Sequence, residues 1–169
     1  MRLESKGEIR PPPRLKGPAQ SVSLEIQSWR GIIAATHWFL HDRTQVDGAD
    51  FYVGEKELGH IHLDGELHLF VTVGLRRRLI EASLAEALPW AEDCVQAPIS
   101  SRREARNALW LFRLAYDRLR GTPIADLRRR IALGCWQDMC ARTASGSQRA
   151  GRSQLKLPGP TSIRLEDSA

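Results

Sequence analysis

The sequence has few cysteines, no long apolar run and no apolar leader. Its three cysteines, Cys94, Cys135 and Cys140, are odd in number and none is spaced as CxxC, which favours reduced thiols over a disulfide framework. No segment approaches the ~18 uninterrupted apolar residues of a membrane span, and the polar, proline-rich start lacks the core of a signal peptide. We therefore expect a cytoplasmic protein that makes no contact with a membrane.

The motifs of several enzyme classes are missing as well. The chain has neither a GxGxxG nor a GxxxxGK[ST] run, which argues against nucleotide hydrolysis. It has no GxSxG turn, and Cys94 has no histidine close to it in sequence, so we expect a packed structural thiol there. These absences define no reaction, and they leave open whether the protein is an enzyme.

What is present is typical of one globular domain with tails. The chain has 169 residues, of which 42% are hydrophobic and 27% charged. The sequence predicts a flexible arm over residues 1–20, an α+β domain over 21–121, a C-terminal helical extension over 122–143 and a disordered tail over 144–169.

The domain is predicted to contain a sheet of four to five strands, mostly an antiparallel meander, backed by helices. Strands are predicted at "IIAATHWFL", "ADFYVG", "LGHIHL", "ELHLFVTV" and "CVQAPI", with the polar "HDRTQVDGAD" as a loop. Helices are predicted in "SVSLEIQSWRG", in "GLRRRLIEASLAEAL" and in "SRREARNALWLFRLAYDRLRG", the last with a capping box of Ser101 and Glu104. Thr122 and Pro123 predict the start of an extra C-terminal helix.

Three of the five histidines lie in the short stretch "GHIHLDGELH", residues 59–68. Successive strand residues point to opposite faces, and the odd positions Ile61, Leu67, Leu69, Val71 and Val73 are the apolar ones. Both strands can turn their odd residues inward only if a three-residue loop, residues 63–65, joins them. Ile61 then opposes Leu67, and the even positions form one polar face.

That polar face is predicted to hold His60, His62, Glu66 and His68, and it is the candidate ligand-binding site. Directly opposed side chains have Cβ atoms ~4.5 to 5.5 Å apart, so His60, His62 and His68 could bind one divalent metal ion such as zinc, with Glu66 or Asp64 as a base. A solvated sheet face that binds nothing, and a histidine used for acid–base chemistry, are the alternatives. His37 in the first strand could join the site or be unrelated to it.

The basic charge and the last helix suggest two kinds of partner. The net charge is +5, and Arg128, Arg129 and Arg130 form one of several arginine clusters that could contact nucleic acid, although a solvated helix face is the simpler interpretation. The helix over residues 123–140 carries Cys135, Trp136 and Met139, which could form the face of a homodimer.

The stretch "ADFYVGEKELGHIHLDGELHLFVTVGLRRRLIEASLAE", followed by "ISSRREARNALWLFRLAYDRL", resembles a small bacterial family labelled luciferase family or luciferase domain-containing protein. The resemblance covers roughly residues 22–120, and its most recognisable parts are Phe51 with Gly54, the "LGHIH" run and the "ALWLFRLAYDRL" helix. It implies an α+β domain and makes the "GHIH" run a family feature. It does not imply light emission, because flavin-dependent luciferases use a large barrel that this chain is too short to form.

From these observations we expect a ligand-binding or interaction module that uses the polar face of the histidine-rich hairpin. A small metal-dependent enzyme with His60, His62 and His68 as ligands is the first alternative, and a basic nucleic-acid-associated protein is the second. The resemblance also weakens the metal hypothesis in one respect, because family members often carry a histidine where this chain has Leu88, Pro89 and Trp90.

Overall fold

The computed structural model describes residues 8–134, which form six strands and four helices. The strands are β1 Ile32–Phe39, β2 Asp42–Val53, β3 Lys56–His62, β4 Glu66–Phe70, β5 Glu86–Ala87 and β6 Cys94–Pro98. The helices are α1 Gly17–Gln27, α2 Val73–Glu81, α3 Arg102–Leu119 and α4, residues 124–134. Among these described residues, no helix has the length and apolar character needed to cross a bilayer.

The strands form one antiparallel sheet in the order β1-β2-β3-β4-β6-β5, so the α+β class is confirmed. The first four strands are the predicted meander. The sheet has six strands rather than four or five, because the two residues of β5 pair with β6 at the far edge. A two-residue strand has no periodic pattern, so the sequence gives no sign of it.

The polar stretch that was predicted to be a loop, residues 41–50, is instead largely strand. β2 begins at Asp42, and its polar residues pair with β1 on one side and, from Gly48 onward, with β3 on the other. Several side chains at its start face solvent, and an antiparallel strand with a solvated face can carry polar residues there. Composition alone therefore misassigned this stretch.

One face of the sheet packs against helices and forms the core. Ile61, Leu67 and Leu69 are fully buried, as the predicted three-residue loop requires. Val73 is the exception in the predicted inward set, since it begins α2 and is 59% exposed. The rings of Phe51 in β2 and Phe112 in α3 meet edge to face at 5.5 Å.

The predicted helical extension is not separate from this core over its described part. Leu127 and Ile131 of α4 are buried in the same hydrophobic cluster as the sheet and α3. Residues 135–143 of the extension, the tail over 144–169, and Cys135, Trp136 and Met139 of the predicted dimer face lie outside the described residues.

The predicted flexible arm is ordered from residue 8 onward. The backbone N–H of Thr36 in β1 donates to the Arg10 carbonyl, its hydroxyl donates to the Pro11 carbonyl, and the Trp38 indole N–H donates to the Glu8 carbonyl. Helix α1 then begins at Gly17, with proline in its first turn, rather than near residue 21. Composition suggested mobility, but the Arg10 carbonyl accepts from a backbone N–H at the edge of β1, and the other two carbonyls accept from side chains of that strand.

Candidate metal centre

The hairpin of β3 and β4 has the register that the sequence predicts. His60 is opposite His68 and Ile61 is opposite Leu67. Gly65 in the loop has φ +92°, and its N–H donates to the His62 carbonyl at 3.0 Å, which closes the turn. The side chains of His60, His62, Glu66 and His68 consequently lie on the same face of the sheet, the one opposite the helices.

Strands β1 and β2 extend this polar face beyond the hairpin. Asp50 is opposite His60 and Gly48 is opposite His62, while His37 of β1 is opposite Gly48. A Cβ atom at Gly48 would stand 2.1 Å from the Ile61 carbonyl oxygen, so only glycine permits this close approach of β2 and β3. His37 therefore lies on the same polar face as the histidines of the hairpin.

Four histidines of this cluster each contact a carboxylate through one ring nitrogen. The contacts are His37 Nδ1 with Asp50 Oδ1 at 2.8 Å, His60 Nδ1 with Glu57 Oε1 at 3.1 Å, His62 Nδ1 with Asp47 Oδ2 at 3.0 Å, and His68 Nε2 with Glu66 Oε1 at 3.0 Å. An ionised carboxylate can only accept a hydrogen bond, which assigns the donor role to these four ring nitrogens. In a neutral ring of that tautomer, the other nitrogen presents a lone pair.

The remaining nitrogens of the three hairpin histidines face one another. His68 Nδ1 lies 3.1 Å from His60 Nε2 and 3.2 Å from His62 Nε2. Nitrogen ligands of a tetrahedral ion with bonds of 2.0 to 2.1 Å are about 3.3 Å apart. The two separations are therefore close to those of ligands that share one metal ion.

The orientations of the three rings are also compatible with a common ion. The interplanar angle is 68° between His60 and His68, 86° between His60 and His62, and 74° between His62 and His68. An imidazole binds a metal through the lone pair in its own plane, and planes at such angles intersect. By distance, the candidate metal groups are His37 with His60 and His62, and Asp50 with Glu57 and His60, rather than the trio of the hairpin. Ring orientation nevertheless favours that trio.

This face is less solvated than the predicted polar hairpin. Asp50 is 1% exposed, Glu57 5% and His60 8%, so the inner part of the cluster is buried. Burial and the neighbouring His68 lower the pKa of His62, against the opposing effect of Asp47. Burial, followed by the charge of Asp50, raises the pKa of Tyr52, whose hydroxyl donates to Asp50 Oδ2 at 3.2 Å. Both pKa shifts favour the neutral form of the side chain, which is the singly protonated ring of His62 and the protonated hydroxyl of Tyr52.

The two carboxylates considered as bases have other contacts in the structure. Asp64 Oδ1 accepts a hydrogen bond from the Glu66 backbone N–H at 3.0 Å, and Asp64 therefore stabilises the loop of the hairpin. Glu66 Oε1 contacts His68 Nε2, so Glu66 orients a candidate ligand.

Three carboxylates of the cluster were not predicted from the sequence: Asp47, Asp50 and Glu57. Asp50 could have been found by pairing "ADFYVG" with "LGHIH" as adjacent antiparallel strands, because both are predicted strands. Glu57 could not, since a register shift between Phe51 and Tyr52 brings its side chain toward His60. Asp47 lay in the predicted loop.

The predicted nucleic-acid residues are exposed on α4. Arg129 pairs with Asp126 at 3.0 Å, and Arg130 pairs with Asp117 of α3. Arg128 and Arg129 line a shallow groove with Arg78 of α2. The three side chains are thus divided between local ion pairs and this groove.

No curated protein and no solved structure matches this chain. One family model does match, over residues 55–115, which is about a third of the chain. This stretch runs from β3 into α3 and includes His60, His62 and His68, whereas His37, Asp47 and Asp50 precede it. The match confirms the resemblance seen in the sequence: residues 55–115 are similar to the family described as the Luciferase domain.

Proposed function

We propose that this domain is a small ligand-binding module built around one divalent transition-metal ion, held by His60 Nε2, His62 Nε2 and His68 Nδ1. The observation that carries the proposal is the pair of nitrogen–nitrogen separations, 3.1 and 3.2 Å, between rings whose opposite nitrogens all contact carboxylates.

The protonation of the cluster supports a cation at this point. Lone pairs that face each other at hydrogen-bond distance repel unless a positive charge lies between them. A proton on His68 Nδ1 can reach both other nitrogens only through a bifurcated hydrogen bond, whereas a metal ion binds the lone pairs of all three. The four carboxylates around the histidines add negative charge, and two of them, Asp50 and Glu57, are buried with side chains 1% exposed. A divalent ion compensates that charge.

The donor set indicates which ions the site would prefer. Three imidazoles suit zinc, copper, nickel, cobalt or iron(II), and oxygen-preferring ions such as magnesium and calcium bind imidazole poorly. Each ligand also has the carboxylate partner typical of histidines at metal sites, which fixes the tautomer and strengthens the donor. The lowered pKa of His62 keeps that ring in the neutral form that binds metal.

Metal content and metal-dependent stability test the proposal. The full chain, freed of metal with a chelator and dialysed against zinc, should retain about one ion per chain by elemental analysis, because the histidines form a single site. Added zinc should raise the thermal unfolding temperature, since an ion that binds only the folded state stabilises it. Magnesium should have no effect at the same concentration.

Matched variants locate the ion. His62→Ala and His68→Ala should each weaken zinc binding by roughly 100-fold or more, because each removes a ligand rather than an orienting partner. His41→Ala is the control, as His41 is an exposed histidine outside the cluster that contacts Phe39. Equal zinc binding by all four proteins, or a wild-type chain whose stability ignores zinc, would show that a proton fills this position instead.

The proposal also includes a reducing cytoplasmic location, which agrees with a free thiol at the buried Cys94. A metal-dependent enzyme remains the alternative to a ligand-binding module. A metal-dependent enzyme needs a coordination position that the protein does not fill, and the ring of His37 determines whether such a position exists.

A further inference from the structure

The fourth histidine of the cluster, His37, contacts the proposed ligands in a different way from the other three. Its ring lies flat against the ring of His60, with centroids 3.9 Å apart and an interplanar angle of 11°. By contrast, the rings of His62 and His68 are steeply inclined to that of His60, at 86° and 68°.

A stacked pair of imidazoles cannot bind one ion through both in-plane lone pairs. Parallel rings in van der Waals contact are about 3.5 Å apart. An ion in the plane of the His60 ring would therefore lie about 3.5 Å from the plane of the His37 ring. That distance is longer than a metal–nitrogen bond of about 2.0 to 2.1 Å. Although His37 is near enough to be grouped with His60 and His62 by distance, its orientation excludes it from a shared ion.

A buried hydrogen-bonded chain holds His37 in this orientation. Its Nδ1 donates to Asp50 Oδ1 at 2.8 Å, and the other oxygen of Asp50 accepts from the Tyr52 hydroxyl at 3.2 Å. The same Asp50 Oδ1 lies 3.8 Å from His60 Nδ1, so one carboxylate faces both stacked rings. The side chain of Asp50 is 1% exposed, and rotation of His37 would break its contact with this buried charge.

We infer that His37 is a positioning residue and not a ligand: held by Asp50, it fixes the plane of the His60 ring. Among residues 8–134, this leaves the ion a fourth coordination position for a small exogenous ligand. This inference rests on the proposed metal site and makes that site an open one. Three protein ligands with one exchangeable position are typical of zinc sites that react with a bound molecule, and four protein ligands are typical of structural sites.

The number of imidazoles on the ion tests the inference directly. The full chain is loaded with cobalt(II), and X-ray absorption fine structure counts the imidazole ligands. We expect three in the wild type, three in His37→Phe and two in His62→Ala. Azide added to the wild type should change the visible spectrum of the cobalt ion, because it enters the open position.

The affinity for cobalt distinguishes a positioning role of His37 from simple proximity of His37 to the ligands. His37→Phe keeps a flat ring against His60 but loses the hydrogen bond to Asp50, so it should bind cobalt more weakly than the wild type but more tightly than His37→Ala. His37→Ala loses both contacts and should bind roughly 10- to 100-fold more weakly than the wild type, the usual effect of losing an orienting partner. Rescue by phenylalanine is a result that a ligand role cannot give.

Four imidazoles in the wild type, falling to three in His37→Phe, would overturn the inference and leave the metal site intact. A wild-type spectrum that azide does not change would overturn it in the same way. A wild-type chain that retains no cobalt would overturn the proposed function itself, and the inference with it. The imidazole count and the azide titration use the wild type alone, so a variant that fails to fold does not affect them.

Discussion

At the scale of single residues, the polar site depends on how closely neighbouring strands approach. The candidate ligands follow from a register in which His60 opposes His68, and that register requires the loop closed by Gly65. Glycine at two further positions lets the strands lie close enough for the rings to meet. Positions 48 and 59 each face a backbone carbonyl of the adjacent strand at a distance that no Cβ atom tolerates.

Gly59→Ala should therefore destabilise both the sheet and the site. The added Cβ atom would lie 2.4 Å from the His68 carbonyl oxygen, which is backbone and cannot move aside cheaply. We expect a loss of about 1 to 3 kcal/mol in the free energy of unfolding, the usual cost of an overpacked position. Denaturant unfolding measures the free energy, and zinc binding should weaken in parallel.

Gly74→Ala is the matched control for that substitution. The nearest atom to its added Cβ is the end of the flexible Arg128 side chain, at 3.0 Å, and the residue lies in α2, where alanine is the better helix former. We expect unchanged or slightly higher stability. If both variants lose the same free energy, close strand approach is not what glycine provides at position 59.

The thiol of Cys94 provides a second prediction at this scale. Burial raises the pKa of Cys94 to about 12, so almost none of it is thiolate at neutral pH. Iodoacetamide should modify Cys94 slowly in the native protein and rapidly in denaturant, as measured by the mass of the peptide that contains it. Fast native modification that does not change with denaturant would mean that the thiol is accessible in the folded chain.

At the scale of elements, the sequence predicted best where periodicity and local hydrogen bonding agree. Helix α3 has both an apolar face and a capping box, and both are present in the structure. The β3–β4 hairpin was predicted for the same reason, since parity and turn geometry allow only one loop length. The errors fall elsewhere: the bounds of α1 and α2, the two-residue β5, and the polar start of β2. Their boundaries depend on pairing with distant residues, which a local pattern does not contain.

The capping box of α3 provides a prediction about that element. The Ser101 hydroxyl accepts from the Glu104 backbone N–H at 3.2 Å, and Glu104 Oε2 accepts in return from the Ser101 backbone N–H at 2.9 Å. Ser101→Ala should lower the free energy of unfolding by about 1 kcal/mol, the usual cost of losing an N-cap. Arg106→Ala, at an exposed position on the same helix, should change stability by less than about 0.5 kcal/mol. Urea titrations of the two variants, compared with the wild type, decide the point.

At the scale of the whole molecule, the N-terminal segment and the polar face are connected through β1. Strand β1 is an edge of the sheet and also carries His37, which stacks on the proposed ligand His60. The segment before α1 supplies carbonyls to Thr36 and Trp38, the residues on either side of His37. A stretch that composition assigns to a mobile arm therefore fixes the strand that carries the positioning residue.

Removal of residues 1–13 should consequently affect both solubility and the site. Without the three carbonyls, the edge of β1 is open to pairing with a second chain, so we expect association that increases with protein concentration, together with a lower thermal unfolding temperature. Zinc binding should weaken by less than the roughly 10- to 100-fold expected of His37→Ala, because the truncated chain keeps His37 itself. Removal of residues 1–7 is the control, since it keeps Glu8, Arg10 and Pro11 in place. Light scattering measures the association of the two truncated chains, and calorimetry measures their unfolding temperatures. If the chain without residues 1–13 is fully stable and monomeric, the N-terminal segment does not protect the edge of β1.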